Sequence, residues 1–149
     1  MNVDYFMNEA LIEANKALAL SEIPVGAILV DNSSEKIISR NYNKTNKLNN
    51  AIRHCELNLI LDVCDKLKMK YLENTTMFVT LEPCAMCASA ISKAHIHSLY
   101  FGAYDEKNGG VEKIKLAFER NNIFLPNIYG GIMEEKCGKL LKDFFKNLR

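Results

Sequence analysis

Two short stretches hold residue types that do chemistry: His54-Cys55-Glu56 and Pro83-Cys84-Ala85-Met86-Cys87. From this composition a Pro-Cys-x-x-Cys arises about 0.003 times by chance and a His-x-Glu about 0.24 times. The second pattern is therefore specific, and the first gains weight from its company. Each falls where a helix is expected to begin. Cys84 and Cys87 are three residues apart, so a helix puts them on one face. A helix N-terminus lowers thiol pKa and favours thiolate ligands. With the His54 imidazole, the two thiolates form a borderline-soft donor set that suits Zn²⁺. Three protein donors leave the fourth tetrahedral position to water, which is the catalytic arrangement, and zinc lowers that water's pKa toward ~7. Glu56 lies two residues from His54. Both reach one site only from the first helical turn, which makes Glu56 a poor ligand and a plausible base.

Other readings of these residues stay open at this point. A closed structural zinc site would take Cys55, Cys64, Cys137, His95 or His97 as its fourth ligand. A Cys-x-x-Cys can also be a redox pair, which the accompanying His-x-Glu and the missing thioredoxin-like context disfavour. Cys64 and Cys137 fall on apolar helix faces and read as small buried hydrophobes. Cys55 reads as a small packed residue, and His95 and His97 as ordinary polar residues.

The elements that must position the two motifs follow from periodicity. A first helix is expected over residues 4–20, with Phe6, Ala10, Leu11, Ala14, Ala17 and Leu18 at helical spacing. Residues 25–30 read as a buried strand and 36–41 as the return strand of a hairpin. A second helix covers 53–69, with Leu57, Ile60, Leu61, Cys64 and Leu67 on its apolar face. Strands are expected at 76–81, 97–101 and 127–129, and helices at 84–94, 112–120 and 133–148. In the last helix Cys137, Leu140, Leu141, Phe144 and Phe145 point inward. Residues 41–50, half of them Asn, read as a polar loop. Helices alternating with strands after the hairpin imply an α/β domain with three layers and a mostly parallel sheet, mixed because of the hairpin. Its site belongs at the carboxyl ends of the strands.

Length and composition bound the class. The 149 residues suggest one domain over 1–149. With 48% hydrophobic and 25% charged residues the chain is an ordinary globular composition, which excludes collagen-like and disordered classes. A formal charge of +1 excludes a strongly basic domain, so any nucleic-acid contact must use local positive charge. One such stripe is Lys136, Lys139, Lys142, Lys146 and Arg149 on the last helix, which is either a phosphate-tracking surface or a solvated face. No stretch is apolar enough for a membrane span, and the first residues hold Asp4 and Glu9 without a signal-peptide core. Five cysteines without secretory context point to reduced thiols in the cytoplasm.

The metal motifs match the zinc-dependent nucleobase and nucleoside deaminases. Over nearly its whole length the chain resembles the bacterial tRNA adenosine deaminases, through Ile23-Pro24-Val25-Gly26-Ala27, Asn43, the two metal motifs with Val79 to Pro83, Phe101-Gly102-Ala103, Asp105, Lys107 and the closing Gly130-Gly131-Ile132 through Phe145. The resemblance implies a cytidine-deaminase-like α/β/α sandwich with a mixed five-stranded sheet. It implies one zinc per chain on His54, Cys84 and Cys87, and Glu56 as proton shuttle. It implies Asn43 in contact with the target base, and Asp105 in a loop near the RNA. The implied reaction is hydrolytic deamination of a tRNA wobble adenosine to inosine, with the anticodon loop as partner, no membrane, and a homodimer whose second copy helps shape the site. A parallel fifth strand is the tRNA-type arrangement, whereas cytidine-type relatives turn back antiparallel. The chain departs from the family at Cys55 (usually Ala), His95 (often Arg), Thr45 (often Pro), and Phe124 and Leu125 (often His and a basic residue). Two rival readings share the zinc residues: a small-molecule guanine or cytosine deaminase, and a catalytically dead subunit of a deaminase heterodimer. Retained Glu56 argues against the second.

Overall fold

Strand β1 (Gly26–Asp31) is buried on both faces, which is why it reads as a continuous apolar run rather than an alternating one. The computed structural model describes residues 1–112, 115, 119 and 123–148. Around β1 lie α1 (Val3–Ala19), β2 (Lys36–Tyr42), α2 (Cys55–Leu67), β3 (Thr75–Leu81), α3 (Ala85–Lys93), β4 (Ser98–Ala103), β5 (Asn127–Tyr129) and α4 (Glu134–Asn147). The helix expected over 112–120 lies largely outside the described residues. The other expected elements are present, with ends displaced by one or two residues.

The strands form one five-stranded sheet in the order β2-β1-β3-β4-β5. Alternate side chains feed two cores. Ala27, Leu29, Met77, Val79, Leu99 and Phe101 meet Leu59, Ile60 and Val63 of α2 and Ala88 and Ile91 of α3. Ile28, Val30 and Phe78 face the other way, onto Phe6, Met7, Ala10 and Leu11 of α1 and Cys137 of α4. Helices on both faces of a mixed sheet give the expected three layers. α1 sits so close to β1 that a Cβ at Gly26 would lie 2.3 Å from the Ala10 carbonyl oxygen.

The sheet is less parallel than expected. β1 pairs antiparallel with both β2 and β3, while β3–β4 and β4–β5 are parallel. The α2 crossover passes over β1, so the hairpin's first strand separates β2 from β3. Four strands still share one direction, and that sets the site end. The carboxyl ends of β2, β3 and β4 and the start of β1 all lie there. β5 runs parallel to β4, with Leu99 opposite Ile128.

Inward assignments change in three helices. α2 buries Cys55, Glu56, Asn58, Leu59, Ile60 and Val63, whereas Leu61 and Leu67 are 45% and 51% exposed and Leu57 and Cys64 half-buried. The apolar side chains of α2 span a wide arc, opposite Asn58, Asp62, Asp65 and Lys66, so periodicity alone cannot choose which part of that arc is buried. Glu56 chooses it: turning that carboxyl inward brings Leu59, Ile60 and Val63 with it, at spacings of three, four and seven. Leu18 and Phe145, at the ends of their helices, are exposed.

Candidate metal centre and active site

His54 and Cys84 occupy equivalent places. Each is the N-cap of its helix, in extended conformation, His54 before α2 and Cys84 before α3. An N-cap usually holds Ser, Thr, Asp or Asn, whose oxygen satisfies the first free N–H groups. Here the caps carry metal donors instead, and the two helix starts converge. His54 Nδ1 lies 3.6 Å from Cys84 Sγ and 3.7 Å from Cys87 Sγ. The three donor atoms all lie within 4.8 Å of one another. Tetrahedral zinc, bonded at about 2.0 Å to nitrogen and 2.3 Å to sulfur, separates a nitrogen from a sulfur by roughly 3.5 Å. The donor set and its spacing therefore fit zinc.

The electrostatics suit a cation. Hydrogen bonds from the Cys87 thiol and the His54 ring lower Cys84 to about 4, so it is a thiolate. Cys87 shares its proton with that thiolate and is itself raised. The same thiolate raises His54. Glu56 is buried, and burial pushes its carboxyl up. The buried Cys55 thiol donates to Glu56 Oε2 at 3.4 Å. Cys55 is thus packed, as expected, but packed against the carboxyl of interest.

These groups form the floor of a cavity of about 770 Å³, a volume usual for a ligand site. Ile23, Val25 and Leu81 supply apolar wall. Asn43 is buried and lines the cavity, its N–H donating to the Val25 carbonyl at 3.0 Å. The Asn-rich loop is more than filler, because Thr45, Asn46, Asn49 and Asn50 line the cavity too. Asp105 also lines it, but one of its carboxylate oxygens is committed. Oδ1 accepts the Lys107 and Asn108 N–H groups at 3.2 and 3.0 Å.

Two groups were not singled out by spacing. Glu82 is buried, lines the cavity, and accepts the Asp105 N–H at 3.1 Å. Gly110 lets the same loop lie against the metal helix: its N–H donates to the Pro83 carbonyl, and a Cβ there would sit 2.4 Å from the Ala85 nitrogen. None of the other candidate ligands joins the three donors among the described residues. Cys137 is buried against Gly102 in the opposite core. His97 bonds Ser98, and His95 stacks between Tyr71 and Phe124, with centroids 4.3 and 4.8 Å away. Two departures from the family pattern, His95 and Phe124, thus touch each other.

Residues 1–103 match the family described as the cytidine and deoxycytidylate deaminase zinc-binding region. A tRNA-specific adenosine deaminase of Rickettsia bellii is 44% identical over 144 residues, covering 96% of this chain and 99% of that one. The tRNA-specific adenosine deaminase of Bacillus subtilis is 39% identical, covering 98% and 90%. A solved structure from work on A-to-I editing by tRNA:A34 deaminases at the wobble position superposes with a TM-score of 0.84 at 39% identity, covering 92% of this chain and 99% of that one. A guanine deaminase from Nitrosomonas europaea superposes at 0.80 but at 18% identity, which is likeness of fold alone. With these full-length relatives, and with its own three donors at two converging helix starts, the chain belongs to the zinc-dependent cytidine and deoxycytidylate deaminase family, within the tRNA-specific adenosine deaminases.

Proposed function

We propose that this protein converts the wobble adenosine of tRNA to inosine by hydrolysis, breaking the C6–N bond, forming a C6–O bond and releasing ammonia. The observation that carries the reading is a buried carboxyl, Glu56, beside a three-donor zinc site in a chain similar throughout to tRNA-specific adenosine deaminases. His54, Cys84 and Cys87 hold the zinc. When bound, zinc supplies Lewis acidity at its open coordination position and makes a nucleophile available near neutral pH.

The chain's own residues do the rest. Glu56 accepts the proton that activation of water releases and returns protons to the ring nitrogen and the departing amine. Burial raises its pKa toward the working range, as proton shuttling requires. Asn43 presents an amide, both donor and acceptor, to the edge of the base. Ile23 and Val25 give the ring an apolar wall. Asp105 shapes the loop on the opposite side. Extruding the adenosine costs little in an anticodon loop, where bases are already unpaired.

The working unit we propose is a homodimer of one-domain chains. Both cores share one sheet, which supports a single domain. Leu48 and Ile52 before α2 and Leu61 on it are exposed, apolar surface open to a second copy. No helix among the described residues is long and apolar enough to cross a membrane, and a tRNA substrate supports the cytoplasm as the place of action.

The zinc-loaded protein should form inosine at the wobble position of an unmodified tRNA transcript. Glu56→Ala should lower turnover by at least about a hundredfold yet keep one zinc per chain by elemental analysis. Zinc loss in that variant would make Glu56 a ligand and defeat the assigned role.

A further inference from the structure

Glu22 is a buried carboxylate, 1% exposed, that the chemistry above does not use. It sits in the turn leaving α1, held by its own N–H on the Ala17 carbonyl at 3.0 Å. Its two oxygens reach across to the Asn-rich loop. Oε1 accepts the Lys47 N–H at 2.6 Å, and Oε2 accepts the Asn46 N–H at 3.3 Å. The loop otherwise holds mainly to itself. Leu48 bonds Lys44, Asn49 bonds Asn46, Asn50 bonds Thr45, and Ile52 bonds the Asn50 side chain. For residues 44–49, Glu22 is the hydrogen-bonded tie from the loop backbone to the body among the described residues, while the Asn50 and Ile52 carbonyls accept from Arg53 and His54 at the start of α2. That loop carries Thr45, Asn46, Asn49 and Asn50 onto the cavity.

We propose that Glu22 is a positioning residue for substrate binding: its carboxylate tethers the 44–50 loop so that the loop's polar side chains form one wall of the RNA-binding cavity. The inference rests on the tRNA reading above for its substrate. A carboxylate suits the task because it accepts two N–H groups at once and, buried, has few other partners. Charge-assisted bonds of this kind are about twice as strong as neutral ones. Glutamine in its place keeps one acceptor oxygen and turns an NH₂ toward the second N–H, so one of the two ties is lost. The effect falls on binding, since neither tie touches Glu56 or the zinc donors.

The test uses the full zinc-loaded chain as wild type, Glu22→Gln and Glu22→Ala. Steady-state inosine formation on wobble-adenosine tRNA should show KM raised about tenfold or more in Glu22→Ala and less in Glu22→Gln, with kcat within about twofold. Hydrogen exchange by mass spectrometry should show faster exchange in the peptide covering 43–52 and unchanged exchange in β1 and β3. Unchanged KM, a fall in kcat alone, loss of zinc, or unchanged exchange in 43–52 would each overturn the proposal. Glu22→Gln conserves volume and carries the test if Glu22→Ala does not fold. A wild-type protein that makes no inosine would defeat the substrate reading, while the exchange experiment would still decide the tether.

Discussion

The zinc donors differ in protonation before metal enters, and that difference predicts a pH dependence. Zinc needs both thiolates and a neutral imidazole. Cys84, lowered to about 4, is already a thiolate at neutral pH. Cys87 is raised and keeps its proton at neutral pH, and His54 is raised too, so it holds its proton to higher pH than a free imidazole; zinc must displace these protons. Zinc affinity therefore rises with pH and falls as acid is added, by about tenfold per pH unit for each proton released. Competition with a chelator at pH 6, 7 and 8 measures this; a flat profile would contradict the assigned protonation. Residue chemistry was largely legible in the sequence at these positions, because metal ligation imposes residue types and spacings that recur by chance only rarely. Glu22 and Glu82 were not legible as partners of the cavity loops. Each works by accepting backbone N–H groups, and a backbone donor leaves no trace in residue identity.

At the scale of elements, strand positions could be read because burial on both faces makes Gly26–Asp31 a nearly continuous apolar run, and because Thr75–Leu81 is rich in β-branched and aromatic residues. Their neighbours could not. Nothing local to β1 says that it lies between β2 and β3, and so the sheet has two antiparallel pairings where one was expected. The rotation of α2 was hidden for a similar reason: its apolar residues span a wide arc, so periodicity leaves the buried part of that arc unspecified. The last helix supplies the element-scale prediction. Lys136, Lys139 and Lys142 are exposed on α4, and Lys139 pairs with Asp143 at 2.7 Å. If the stripe tracks phosphates, changing Lys139, Lys142 and Lys146 together to Ala should weaken tRNA binding at low salt. The log–log salt dependence should become shallower by about two units. Unchanged affinity and unchanged slope in a filter-binding titration would make the stripe a solvated face.

For the molecule as a whole, the near-neutral charge of +1 is compatible with an RNA substrate, because one short loop needs only local positive charge. Assembly is the first prediction at this scale. Leu61→Asp, on the exposed side of α2, should convert the dimer to monomer in sedimentation velocity without loss of helix content. A wild-type monomer at micromolar concentration would contradict the dimer. The central claim concerns substrate, since the zinc site alone serves base, nucleoside and RNA deaminases alike. One preparation of zinc-loaded protein should therefore be assayed in parallel on unmodified wobble-adenosine tRNA, free guanine and free cytosine. Inosine at the wobble position, with both free bases untouched, is the predicted result; ammonia from guanine or cytosine with no inosine in the tRNA would contradict it.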